Sequence, residues 1–362
     1  MRRALAIAVL LLGIGCVRAA RPDEQPSLDV SEIAARIPAK VVDREGWAAD
    51  LELALGFAGL PADEGHVCGV IAVVGQESGF QANPVVPNLA KIARAQIAEK
   101  AAPLGPLAKP LLTEVLSVKA PGAKLSFDQR LSAVRTEGDL DKLYRDLIDE
   151  EVRRFPVAVV VASELRERNP ITTAGSMQVS VAFAEGHARR LGRDPDDVRD
   201  ELYTRQGGLI YGAARLFSGA RYEEPLHLFA DYNAGEFASR NAAFQEQLAA
   251  VTGVKLALDG DLLAYRPYSE DTETMRALSK IDPRLVRDAR REKSAAFEQT
   301  EAWRVVKEKW QKKFGKEPPY ARLPEVKLKS PKLSRELSTA WFARSVQKRY
   351  EACVAAGKAG KN

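Results

Sequence analysis

A chain of 362 residues, 46% hydrophobic and 28% charged, carries enough apolar material for a sizeable core, as one large domain or two smaller ones. The formal net charge of +5 is spread along the whole chain, and no aromatic-interleaved basic patch or nucleic-acid module signature is present. DNA and RNA are therefore excluded as expected partners.

The chain opens MRRALAIAVLLLGIGCVRAA. Arg2 and Arg3 precede an apolar run at 4–14 that is too short to span a bilayer and has the layout of a secretory signal, so residues 1–20 are expected to be a signal peptide. Two processing routes are open. Gly13-Ile14-Gly15-Cys16 resembles a bacterial lipobox, although it lacks the usual Leu three positions before the cysteine. Lipidation at Cys16, with Val17 rather than Asp following it, would anchor the protein in the outer membrane. Val17-Arg18-Ala19 offers an ordinary signal-peptidase site instead, which would leave a soluble periplasmic protein. No later segment is long and apolar enough for a transmembrane helix.

Stretches rich in Ala, Leu, Glu and Arg recur and alternating β-branched runs are scarce, so a mainly α fold is expected. Residues 28–60 read as two helices, the second at 46–60 and stopped by Pro61. The segment 64–80 is the most apolar of the mature chain. It predicts a buried helix through Val67, Val70, Ile71, Val73 and Val74 to Glu77, ending at Gly79. Glu77 falls on the same face as Val70 and Val73, which should bury it in part. Burial raises a carboxyl's pKa and keeps a proton available near neutral pH, as a general acid requires. A capping or solvated helix-end glutamate is the plainer alternative.

Residues 88–170 read as a helical insertion, broken at Pro103, Pro106, Pro110, Pro121-Gly122 and Pro170. A glycine-containing turn at 172–178 then enters a helix running through His187 to Leu191. Further helices are expected at 202–218 and 225–232, with a tight turn at Asn233-Ala234-Gly235. From Leu256 the chain becomes more charged, with amphipathic helices around 272–280, 284–312 and 334–354. The organisation expected is thus a domain at 28–255 and a helical C-terminal extension at 256–362.

Three short segments carry a further signal: Glu77-Ser78-Gly79-Phe80, then Ala174-Gly175-Ser176-Met177-Gln178-Val179, then Asp231-Tyr232-Asn233-Ala234-Gly235. In this order, behind an export signal, they resemble the signature motifs of lytic transglycosylases with the goose-type-lysozyme-like fold, the soluble lytic transglycosylase superfamily. Residues 207–217 (GGLIYGAARLF) echo a helix of the same family. The resemblance covers roughly residues 45–250, and is strongest to a proteobacterial lipoprotein branch with a long insertion. It implies a lysozyme-like helical domain with Glu77 as sole acid/base. Ser78 and Gln178 would contact the sugar or hold the cleft, Met177 would line the subsite, Tyr232 would orient the glutamate or the substrate's N-acetyl group, and Asn233 would shape the closing turn. Read simply as side chains, Met177 is equally a core gap-filler and Tyr232 a buried aromatic with its hydroxyl satisfied.

The activity so implied is cleavage of the MurNAc–GlcNAc bond of peptidoglycan strands. One carboxyl suffices because the substrate's 2-acetamido group attacks its own anomeric carbon. Glu77 would protonate the leaving oxygen and then deprotonate the 6-hydroxyl, giving 1,6-anhydroMurNAc without water or cofactor. A hydrolytic muramidase is the alternative within the same chemistry, and a non-catalytic peptidoglycan-binding lipoprotein the alternative outside it. Three departures stand out: the gap between Phe80 and Ala174, Ser176 in place of an apolar residue, which would make the subsite more polar, and Asp231, which has no assigned role. His66, His187 and His227 are scattered without metal-ligand spacing, and no nucleotide fingerprint is present, so neither metal nor cofactor is expected. Cys68 and Cys353, the cysteines left besides Cys16, are expected to pair in an oxidising compartment, closing a loop worth about 4 kcal/mol of chain entropy. Cys68 also reads as a small buried apolar residue.

Overall fold

The computed structural model describes residues 27–155, 169–265, 267–328 and 337–359. The expected signal peptide at 1–20, with Cys16, lies outside the described residues. The described part is mainly helical, as expected, and its strands form three two-residue antiparallel ladders.

Helices α1 (Val30–Arg36), α2 (Arg44–Phe57) and α3 (Glu64–Glu77) come first. Asp63 caps α3 by accepting from the His66 N–H at 2.9 Å, satisfying one of the donors that a helix start leaves free. The helix stops where Gly79 and Phe80 turn to φ +60° and +67°. From Val67 to Val74 every residue of α3 is buried, and a helix that is apolar all round must be covered on all sides. Its neighbours are α2, α10 (Arg205–Leu216) and α15 (Thr339–Ala359).

The cover from α15 revises the expected domain plan. Residues 256–362 are not one appendage. Residues 256–306 build a second core, in which Leu262, Leu278, Phe297 and Val306 join Phe244 and Leu248 of α12 (Ala238–Thr252). The chain then returns, and Phe342, Val346 and Cys353 of α15 enter the main core beside α3. A disulfide between Cys68 and Cys353, with Cα atoms 5.5 Å apart, fastens the two helices across 285 residues of sequence. The single helix expected at 284–312 is also different. Two 3₁₀ stretches, Pro283–Arg291 and Ala295–Gln299, precede α14 (Glu301–Phe314). Thr300 restarts the chain as the cap of α14, its hydroxyl accepting from Trp303 N–H at 3.3 Å.

The insertion is helical, with α4 (Leu89–Ala101), α5 (Ala108–Ser117), α6 (Phe127–Ala133) and α7 (Glu137–Arg154). It has a small core of its own around Phe127, Leu131, Leu140 and Leu143. It is tied to the main body through Asp141 of α7, a fully buried carboxylate. That group accepts from Arg199 of α9 (Pro195–Leu202) at 2.7 Å and from Asn169 at 2.7 Å. A buried charge with this many donors is held in one place, because freeing any of them leaves it uncompensated. Among the described residues no helix is long and apolar enough to cross a membrane.

Candidate active site

Glu77 is the last residue of α3, three positions past the buried run that ends at Val74. Its carboxyl is half-buried: solvent reaches it, yet protein surrounds it on most sides. Burial, followed by the negative charge of Glu137, pushes its pKa up to about 8, so it holds its proton at neutral pH. Phe80 packs edge-on against Trp47 with centroids 5.3 Å apart, pinning the chain just after the carboxyl. Ser78 is spent on the same helix end. It donates to the Val74 carbonyl at 3.2 Å and accepts from Gln81 N–H at 3.3 Å, so its hydrogen bonds go to main chain.

The second motif is the tip of a hairpin whose strands are β1 (Thr173–Ala174) and β2 (Val179–Ser180). Gly175 has φ +79°, and a side chain there would run into the Leu202 carbonyl, so the position needs glycine twice over. The turn closes with Gln178 N–H donating to Gly175 O at 3.0 Å. Gln178 itself sits at φ +51°, a backbone state that non-glycine residues keep only when their surroundings impose it. Its amide does the imposing. Nε2 donates to Glu137 Oε2 at 3.0 Å, and Oε1 accepts from Thr173 Oγ1 at 3.0 Å.

Met177 does not line a subsite. It is fully buried and packs against Gly212, where any Cβ would overlap its sulfur; the gap-filler reading of this residue is what the packing displays. Ser176 is fully buried as well and faces Gly208, so it presents no polar group to the surface around Glu77. The turn thus directs two consecutive side chains into the core.

Tyr232 arrives from α11 (Pro225–Ala234). Its hydroxyl donates to the Met177 carbonyl at 2.7 Å, and burial together with the charge of Glu77 pushes the phenol's pKa well up. Asn233 and Ala234 belong to the last turn of α11, not to a separate tight turn; the break falls at Gly235, with φ +131°. Asn233 Oδ1 accepts from Thr339 Oγ1 at 2.8 Å, so this side chain holds the start of α15. Asp231 gains a role. Buried, it accepts from Tyr222 Oη and from Ser239 N–H, each at 2.6 Å, and so joins α11 to α12. Burial raises its pKa to about 6 against the lowering effect of those bonds.

Glu77, Gln178 and Tyr232 are thus brought into one neighbourhood. Ser78, Met177 and Asn233 support it from behind. Glu137 is the residue that sequence reasoning misses: it is 4% exposed and opens α7. An acid in a first helical turn reads as an ordinary dipole partner, and nothing in the pattern singles it out. The three histidines stay apart. His66 pairs with Asp63 at 2.9 Å, His187 approaches Arg190 at 3.3 Å, and His227 packs near Tyr222. Among the described residues no group of three His, Cys, Asp or Glu is placed to hold a metal.

The chain belongs to the family described as a protein of unknown function (DUF1615), whose model matches residues 40–356. That span takes in the three motifs, the insertion and most of α15. A relative from Escherichia coli (strain K12), named "Uncharacterized protein YaiW", is 38% identical over 359 residues, covering 96% of each chain. No solved structure matches the chain.

Proposed function

We propose that the protein is a peptidoglycan lytic transglycosylase in which Glu77 is the acid/base. The observation that carries this reading is the state of Glu77, a partly solvent-accessible carboxyl with its pKa pushed up to about 8, in one neighbourhood with Gln178 and Tyr232 from two distant motifs. Protonated Glu77 gives its proton to the bridging oxygen as the MurNAc C1–O bond breaks, and the 2-acetamido oxygen bonds to C1. The resulting carboxylate takes the proton of the 6-hydroxyl, whose oxygen bonds to C1 and releases the acetamido group. Glu77 ends protonated, as it began.

A second reading rests on Glu137. A buried carboxylate near the acid could activate water, as in hydrolytic muramidases, and the product would then carry a reducing end. Digestion of purified sacculi with wild type and Glu77→Gln, followed by mass spectrometry, separates the readings. Anhydro-muropeptides from wild type alone support the transglycosylase, and reducing ends the hydrolase. Sacculus binding without release would leave a non-catalytic wall-binding protein and end the enzymatic proposal. Export to the periplasm and anchoring at Cys16 in the outer membrane complete the reading. Unchanged membrane fractionation of Cys16→Ser would remove the anchor from it.

A further inference from the structure

Helix α7, the last of the four described α-helices of the insertion, has a task at the Glu77 site. We infer that Glu137 is its positioning residue: from the first turn of α7 its carboxylate fixes the Gln178 amide and sets a negative charge against the Glu77 carboxyl. This deepens the transglycosylase reading and rests on it for its meaning in catalysis.

Glu137 is placed with unusual care. Thr136 caps α7, and its hydroxyl accepts from Asn83 Nδ2 at 3.0 Å, while Asn83 Oδ1 accepts from Gly138 N–H at 3.3 Å. Asn83 follows Glu77 by a single turn of chain, so the residues on both sides of Glu137 are clasped to the segment leaving the catalytic helix. One turn later Asp141 is locked to Arg199. Position 138 has no room for a side chain, since a Cβ would lie 2.7 Å from Asn83 Nδ2 and 3.1 Å from Tyr203 Cγ. Gln178, held at φ +51°, spends its amide on Glu137 at 3.0 Å. An amide held on both sides has one orientation.

The other ionisable groups around Glu77 come from three helices. Tyr232 of α11 shares its electrostatic field, Arg215 of α10 lies over the Tyr232 ring at 5.7 Å, and Arg349 of α15 passes Gly75 at 3.5 Å from where a Cβ would be. Glu137 supplies the like charge that opposes ionisation of Glu77, as in coupled carboxyl pairs.

The test needs no substrate. Protein carrying ¹³C at the glutamate carboxyls is titrated by NMR, with the Glu77 signal assigned as the one absent from Glu77→Gln. In Glu137→Gln, which keeps an oxygen for Gln178 but not the charge, the Glu77 midpoint is expected to fall by about one pH unit. The alkaline limb of sacculus cleavage should move down with it. An unmoved midpoint in folded protein overturns the inference. If Glu137→Gln does not fold, Asn83→Ala, which frees the clasp and lets the charge retreat, is titrated instead, and again a fixed midpoint is the contrary result. Because the titration is read without sacculi, it can fail while cleavage succeeds, or succeed while cleavage is absent.

Discussion

The hydroxyl of Tyr232 donates to the main-chain carbonyl of Met177 at 2.7 Å, joining the third motif to the second across 55 residues. Tyr232→Phe keeps the ring and removes the donor, leaving the Met177 carbonyl without it in a buried setting. Such a loss costs about 1–3 kcal/mol. A lower Tm in circular dichroism is expected, together with reduced release of anhydro-muropeptides, since the turn carrying Gln178 loses its anchor. An unchanged Tm would mean that the bond does not hold the turn.

Close approach at Gly212 gives a second test. A Cβ there would lie 2.9 Å from the Met177 Cβ and overlap its sulfur, so Gly212→Ala is an overpacking change in a full core, expected to cost about 1–3 kcal/mol. Met177→Ala alone should also destabilise, by emptying the space. Combined, the two should cost less than the sum of their separate effects, because the new methyl enters the volume the methionine leaves. Additive losses in chemical denaturation would show that the two residues do not share that space.

Replacing Cys68 and Cys353 together by serine should lower stability by about 2–5 kcal/mol, the range usual for a native disulfide that closes a long loop. The loss should concentrate where α15 covers α3, visible as faster amide exchange in both helices. Free-thiol counting on oxidised wild type checks the premise, and two reactive thiols would contradict the bond.

How far the sequence discloses this molecule depends on the reach of each interaction. The helix to Glu77 is legible because its apolar run and its stop at Gly79 are local, and so is the proline that opens α11; the cap at Thr300 is just as local, yet the sequence reads as a single helix through it. What covers α3 is not local: Phe342 and Val346 come from the far end of the chain, and a charged amphipathic helix there reads as an appendage. The motif positions are legible as a pattern, but the pattern leaves side-chain directions open, Met177 reading equally as subsite wall or core. Met177 and Ser176 turn inward because Gly175 and Gln178 take positive φ, a choice made by the packing of Leu202 and Glu137 around the hairpin. Glu137 itself was invisible, since a first-turn acid looks the same whether it faces water or another carboxyl.

The half-buried carboxyl of Glu77 makes stability depend on pH. Its folded pKa is about 8, above the ordinary value of 4.5, so between those values the folded state keeps a proton that the unfolded chain gives up. Stability attached to this group is therefore whole below about pH 4.5, declines as pH rises toward 8, and is level beyond. Each pH unit in that window corresponds to about 1.4 kcal/mol for a fully shifted group. Partial solvent access to Glu77 reduces the total to about 2–3 kcal/mol. Glu77→Gln has no proton to lose, so its Tm should match wild type near pH 4.5 and exceed it increasingly up to pH 8. Asp231, with its pKa near 6, acts in the same direction below that pH, but it is present in both proteins and cancels from the difference. A gain in Tm with loss of cleavage is what a carboxyl kept for chemistry at the expense of stability should give. Parallel Tm curves across the whole range would instead place Glu77 in water and remove the ground for its role as the acid.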